Sequence, residues 1–214
     1  MKKVFKRIGF VFSIIAVVIC AVIIFFNLTH IYYNVLGPSM SPTLNDGVTS
    51  PTECIDAVMV SKIKPYTRGD IIVIDKNQTD GNGNEKYVIK RLIAIGGDKI
   101  TVRFINGYYR IVLIMAGESE ERVLEEEYIK DLSINQKLNN KFKTLIASNI
   151  YNTDGDFLVL AEDEVFYLGD NRANSSDCSA YGPIKKEDVV GKVDYIIYGN
   201  TNAYGQVLKQ FFGW

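Results

Sequence analysis

The amino-acid sequence predicts a mainly β fold: an N-terminal transmembrane helix followed by an antiparallel, coiled β-sheet domain with a variable insertion. Three observations carry this. Residues 8–26 form an uncharged apolar run. Beyond residue 35 the chain breaks into short segments rich in β-branched residues, separated by Gly, Asn, Asp and Pro clusters, the composition of strands and turns. Asn106-Gly107 stands between two such segments, the strongest short-range signal for a hairpin with a primed turn.

Taken in order, Lys2, Lys3, Lys6 and Arg7 precede the apolar run. Its nineteen residues, at about 1.5 Å each, give roughly 28 Å, close to the hydrocarbon thickness of a bilayer. The run is longer than the ~7–15-residue core of a secretory signal, and no small-x-small site follows in Asn27-Leu28-Thr29-His30-Ile31-Tyr32-Tyr33, so it reads as a retained anchor. The basic flank predicts a cytoplasmic N-terminus and an extracytoplasmic remainder. Tyr32 and Tyr33 suit the headgroup zone, and His30 reads as interfacial. The chain thus divides into a cytoplasmic tip and anchor, 1–30, and a β domain, 31–214.

Strands are predicted at 57–62, 70–75, 87–95, 99–104, 108–113, 157–160, 165–168 and 193–198, with a turn cluster at 79–84. Residues 116–150 differ. Glu118-Ser119-Glu120-Glu121-Arg122 is charged and 132–149 is rich in Asn and Lys, which predicts a solvated surface insertion with a short helix near 135–147. The C-terminal residues 206–214 carry the single tryptophan, Trp214, and are expected to pack on the domain.

A chain of 214 residues holds one anchor and one domain with a real core. With 24 Lys and Arg against 25 Asp and Glu, and no basic cluster beyond the N-terminus, no nucleic-acid footprint is visible. Cys20, Cys54, Cys178 and the single histidine make no metal-ligand spacing, so no metal or other cofactor is expected. Cys54 and Cys178 both fall on the predicted outer side, where disulfides are permitted. A bridge and two free thiols are both open.

The chemistry centres on Gly37-Pro38-Ser39-Met40-Ser41-Pro42-Thr43-Leu44. A serine hydroxyl is a weak nucleophile until a base takes its proton. The single histidine lies at the foot of the apolar run, a poor place from which to build a triad. A lysine serves if burial destabilises its ammonium. Lys90, in Tyr87-Val88-Ile89-Lys90-Arg91-Leu92-Ile93-Ala94-Ile95, has Val88, Leu92 and Ala94 on its own face of a strand, the apolar setting this needs.

Ser39-Met40-Ser41-Pro42-Thr43, then Arg68-Gly69-Asp70-Ile71-Ile72-Val73, then Lys90-Arg91 with Gly96-Gly97-Asp98, then Gly169-Asp170-Asn171-Arg172 with Ser175 and Asp177, resemble the boxes of type I signal peptidases, in family order. The resemblance covers roughly 31–105 and 155–200; Arg122–130 also resembles a family segment. It implies a membrane-anchored Ser-Lys protease that removes signal peptides from exported preproteins, with those preproteins and the lipid bilayer as partners and no nucleic acid. It implies Ser39 as nucleophile, Lys90 as base and Met40 at the substrate. It implies that Ser175 orients Lys90, that Asp170 pairs with Arg91, and that Asp177 supports the base. Pro38 has no N–H, so the local oxyanion donors are the Ser39 and Gly37 amides; some members carry a serine where Gly37 stands. The family's Asp-Ser-Arg is here Asp177-Cys178-Ser179, which leaves Asp177 without its arginine, either solvated or satisfied by amides and another cation. Two other readings stay open: a specialised relative that processes few surface-fibre substrates, and a catalytically idle anchored binding domain.

Overall fold

The computed structural model of the chain describes residues 2–79, 85–129 and 131–199. The turn cluster at 80–84 and the segment 206–214 lie outside the described residues. The apolar run forms α1, Lys2–Thr29. Its side chains from Ile8 to Leu28 are exposed all round. Ile8–Thr29 is long and apolar enough to cross a membrane.

The chain leaves α1 directly as β1, His30–Asn34, one strand earlier than the sequence predicts. There follow β2 (Ala57–Ser61), β3 (Ile71–Thr79), β4 (Glu85–Ile95), β5 (Lys99–Ile105), β6 (Tyr108–Ile114) and β7 (Glu121–Val123). Next come α2 (Asn135–Ala147), β8 (Thr153–Asp154), β9 (Phe157–Val159), β10 (Glu164–Leu168), α3 (Cys178–Tyr181), β11 (Ile184–Lys185) and β12 (Val189–Ile197). A seven-stranded sheet runs β1-β2-β12-β3-β4-β10-β11, and a five-stranded sheet runs β7-β6-β5-β9-β8. Every strand pairing in both is antiparallel. Asn106 and Gly107 turn β5 into β6 with φ of 49° and 87°, the left-handed pair that a type I′ turn requires.

The middle of the seven-stranded sheet is covered on both faces, so β2 and the first half of β3 read as continuous apolar runs rather than alternating ones. On one side Ile72, Ile74, Leu92 and Ala94 join Ile100, Ile111 and Leu113 of the second sheet. On the other side Val58, Val60 and Val73 meet Val35, Met40 and Leu44. The loop that holds Ser39 is therefore tied down by its own apolar residues. The helix expected at 135–147 is present, but the segment around it is not simply a solvated insertion. Leu138, Phe142 and Leu145 of α2 lie in the main core, where Phe142 packs against Phe166. Their spacing of four and three places them on one helix face, a periodicity masked by the surrounding Asn and Lys.

Candidate active site

Strand β4 presents Lys90 opposite Ile72 of β3, and directly opposed residues of an antiparallel pair share a face. Lys90 is 4% exposed. Its Nζ donates to Ser39 Oγ at 2.8 Å and to the Ile89 carbonyl at 2.9 Å. The two residues that the sequence pairs across fifty-one positions are thus in hydrogen-bond contact. Burial pushes the amine down to about 8; the Asp177 carboxylate opposes this, the Lys76 ammonium adds to it, and Asp170 opposes it. An amine in this range has an accessible lone pair near neutral pH. In that form the bond reverses, and the Ser39 hydroxyl donates to nitrogen.

The loop 169–177 closes over this pair. Asn171 N–H donates to the Ser39 carbonyl at 3.1 Å, and Asn171 Nδ2 to the Pro38 carbonyl at 3.1 Å. Gly169 is required by contact: a Cβ there would stand 2.5 Å from the Ser39 carbonyl oxygen and 2.2 Å from Ser175 Oγ. Asp170 receives Arg91 in a fork, Nε to Oδ1 at 2.8 Å and Nη2 to Oδ2 at 2.6 Å, and accepts from Thr43 Oγ1 at 2.5 Å. One carboxylate therefore joins the strand of Lys90 to the loop of Ser39. Two further boxes meet as well. Arg68 forks onto Asp98 at 2.6 and 2.5 Å, and Arg91 Nη1 donates to the Gly69 carbonyl at 2.7 Å.

Asp177 is 2% exposed and is satisfied without an arginine. It accepts from Gly169 N–H at 3.0 Å, Ser179 N–H at 3.1 Å and Ser179 Oγ at 2.6 Å. Two amides and one hydroxyl thus satisfy the carboxylate. Ser179 is itself 2% exposed, so Ser179→Arg would remove a buried bond to a carboxylate and insert a long side chain, rather than restore a missing partner.

Three expectations change. Gly37 is not a free oxyanion donor, because its N–H is held by the Glu53 carbonyl at 2.9 Å. Its φ is +74°, and a Cβ would press on Pro51 at 3.2 Å, so a serine there would be strained as well as crowded. The Ser39 N–H makes no hydrogen bond among the described residues. Met40 is 1% exposed and packs with Val35, Leu44, Val58 and Val60, so its side chain serves the core rather than a substrate. Ser175 Oγ is buried but makes no hydrogen bond. The bond expected from it to Lys90 is absent: Lys90 Nζ donates to Ser39 and to the Ile89 carbonyl, and its third N–H does not reach Ser175. Cys20, Cys54 and Cys178 are free, and Cys178 Sγ accepts from Tyr167 N–H at 3.3 Å in the core.

Other residues around the site carry no such expectation. Arg172 and Glu126 form an ion pair with both side chains closed to solvent. Arg172 also donates to Asn135 Oδ1 at 3.2 Å and to the Gly169 carbonyl at 3.2 Å. The Tyr128 ring lies 4.0 Å from the Arg91 guanidinium, and its hydroxyl donates to Glu126 at 3.0 Å. A buried arginine requires a carboxylate, so Arg172 in a box with no acid left to pair it is the signal that points to Glu126.

Comparison with known proteins identifies the family of the chain. The family model described as signal peptidase, peptidase S26, matches residues 6–198. Signal peptidase I P of Bacillus subtilis subsp. natto is 31% identical over 198 residues, 86% of either chain. Signal peptidase IB of Staphylococcus aureus is 28% identical over 164 residues, 76% of this chain and 75% of that protein. A crystal structure of a signal peptidase I from Enterococcus faecalis V583 aligns over 61% of this chain and 97% of its own, with 22% identity and a TM-score of 0.39. A match to the family model from within α1 to beyond the last strand, spanning both Ser39 and Lys90, leads to one conclusion: the chain belongs to the signal peptidase family, peptidase S26.

Proposed function

We propose that this protein is a membrane-anchored endopeptidase that cuts signal peptides from exported preproteins through a Ser39–Lys90 dyad and an acyl-enzyme. The observation that carries the reading is the 2.8 Å contact between a buried amine and a serine hydroxyl. In its neutral form Lys90 takes the Ser39 proton while Oγ attacks the carbonyl carbon before the scissile bond. The tetrahedral oxyanion meets the free Ser39 N–H. Collapse breaks the C–N bond, and the Lys90 ammonium returns its proton to the leaving amine. Water, losing a proton to Lys90, attacks the ester carbonyl; the acyl C–O bond breaks, Ser39 Oγ takes the proton back from Lys90, and the signal peptide leaves with its new carboxyl group. Asp170 with Arg91, and Asp177 with Ser179, hold the two partner loops in register. Residues 1–30 serve as cytoplasmic tip and anchor, with residues 31–214 outside.

The reading is tested with the full chain in detergent and a panel of peptides that carry an apolar segment followed by a small-x-small site. Cleavage after the second small residue, with loss of cleavage when either is enlarged, is the expected result. Cleavage that ignores these positions would contradict it.

A further inference from the structure

The loop of the nucleophile offers one peptide group to an oxyanion. Pro38 has no N–H, and the Gly37 N–H is held by the Glu53 carbonyl at 2.9 Å. The Ser39 N–H remains, and a lone donor depends on its aim: it must stand about 2.7–3.1 Å from the place the oxyanion will take. In a trans peptide the N–H and the preceding C=O share a plane and point opposite ways. Whatever holds the Pro38 carbonyl therefore aims the Ser39 N–H.

Two donors hold that carbonyl. The Ser41 N–H closes a turn onto it at 3.0 Å, and Asn171 Nδ2 reaches it at 3.1 Å from the loop 169–177. The backbone of Asn171 also acts here, since its N–H donates to the Ser39 carbonyl at 3.1 Å. Asn171 thus grips the peptides on both sides of the Ser39 Cα, the preceding one by its side chain and the following one by its main chain. One peptide further back, the Gly37 carbonyl accepts from Asn45 Nδ2 at 3.0 Å.

Asn171 is itself aimed. Its Oδ1 accepts from the Asn174 N–H at 3.2 Å, which turns the amide nitrogen, the group's donor, toward Pro38. Its two chain neighbours are anchored. Asp170 is paired with Arg91, and Arg172 is paired with Glu126 out of solvent. The main chain that carries Asn171 is therefore fixed on either side.

We infer that Asn171 is a positioning residue for the reaction: its side-chain amide, through the Pro38 carbonyl, aims the Ser39 N–H at the tetrahedral intermediate. The inference rests on the Ser-Lys reading. Its test uses the full chain in detergent and Asn171→Ala, which removes the side-chain bond and keeps the main-chain one. Two probes are compared: a peptide with a small-x-small site, and an aldehyde whose peptide ends at the same site. With the aldehyde, Ser39 Oγ bonds to the carbonyl carbon, the C=O π pair moves onto oxygen and the hydroxyl proton passes to Lys90. The resulting hemiacetal oxyanion stands where the intermediate's would.

The expected result is a kcat lower by roughly tenfold to a hundredfold with little change in KM, the pattern of an interaction made only in the transition state. Inhibition by the aldehyde should weaken by a similar factor. The loss should stop short of the roughly 10²–10³-fold cost of deleting an oxyanion donor, because Ser41 still holds the carbonyl. The bend of kcat/KM with pH should stay where the parent has it. The charged groups that act on Lys90 are Asp177, Lys76 and Asp170, and none is altered. A side chain that only tied the loops together would, once removed, let Asp170 and Asp177 shift and move the bend. Parent-like kcat and aldehyde inhibition overturn the inference, as does a loss carried by KM or by a displaced bend. If Asn171→Ala does not fold, Asn171→Leu, of similar size and without a donor, decides by the same measurements. If neither folds, the side chain is structural and the inference falls. A parent that neither cuts the peptide nor binds the aldehyde counts against the dyad instead.

Discussion

Lys90→Met should lower turnover of a signal-peptide substrate by roughly 10⁴-fold or more, in line with removal of a group that works as a unit with its nucleophile. It should not lower the melting temperature. Methionine keeps an unbranched stem of similar length, and the site it would fill is apolar on the Leu92 face. What it removes is an amine that burial already disfavours in its charged form, and replacing such a group by a packed apolar one is often neutral or stabilising. Lys90→Arg should be equally inactive for another reason, because a guanidinium cannot give up its proton at working pH. Ser39→Ala should match the loss. The double variant Ser39→Ala with Lys90→Met should lose no more than either alone. Turnover and thermal melting of the four proteins check this; retained turnover in Lys90→Arg would remove the base from the mechanism.

Asp170→Ala should be strongly destabilising. The carboxylate has no exposed side-chain surface, and its partner Arg91 is 12% exposed. Removal leaves a guanidinium with its fork unfilled and a Thr43 hydroxyl without its acceptor. Breaking one side of a buried ion pair costs about 3–5 kcal/mol. For a chain of this size that is roughly 6–20 °C in Tm. The loss should be shared by the partner. Arg91→Met in the Asp170→Ala background should restore part of the stability, because the two residues are one interacting unit and their effects are not additive. A loss under about 1 kcal/mol would mean the pair behaves as an exposed one, and that Asp170 does not tie β4 to the serine loop.

Much of this was legible in the sequence, and the reasons differ from residue to residue. The hairpin at Asn106-Gly107 is a local signal, set by turn chemistry; the helix at 135–147 was expected, but its buried face was not, because Asn and Lys surround it. Ser39, Lys90, Asp170 and Arg91 came from boxes whose partners lie far apart in the chain, which composition alone does not join. Strand β1 was missed because Tyr32 and Tyr33 suit a membrane interface as well as a strand. Gly37 was expected to offer its N–H because nothing in the sequence shows that the Glu53 carbonyl reaches it. The charged face of 116–150 concealed Glu126 and Tyr128, whose environment is decided by tertiary packing. The absent arginine after Cys178 invited a search for a cation, whereas a serine hydroxyl and two amides suffice.

The central claim is that a desolvated amine, and no other group, takes the serine proton. Its most direct test is the pH dependence of kcat/KM, which reports the groups of the free enzyme. Below its pKa Lys90 is an ammonium with no lone pair, so the rate should rise tenfold per pH unit and level off as the amine becomes neutral. The bend should fall near the value of about 8 to which burial lowers Lys90, and it should be absent from the residual activity of Lys90→Met. A rate still climbing towards 10.5, the ordinary lysine value, would show that the amine is not desolvated. A rate with no bend near the lowered value of about 8, or one whose bend survives in Lys90→Met, would contradict the dyad.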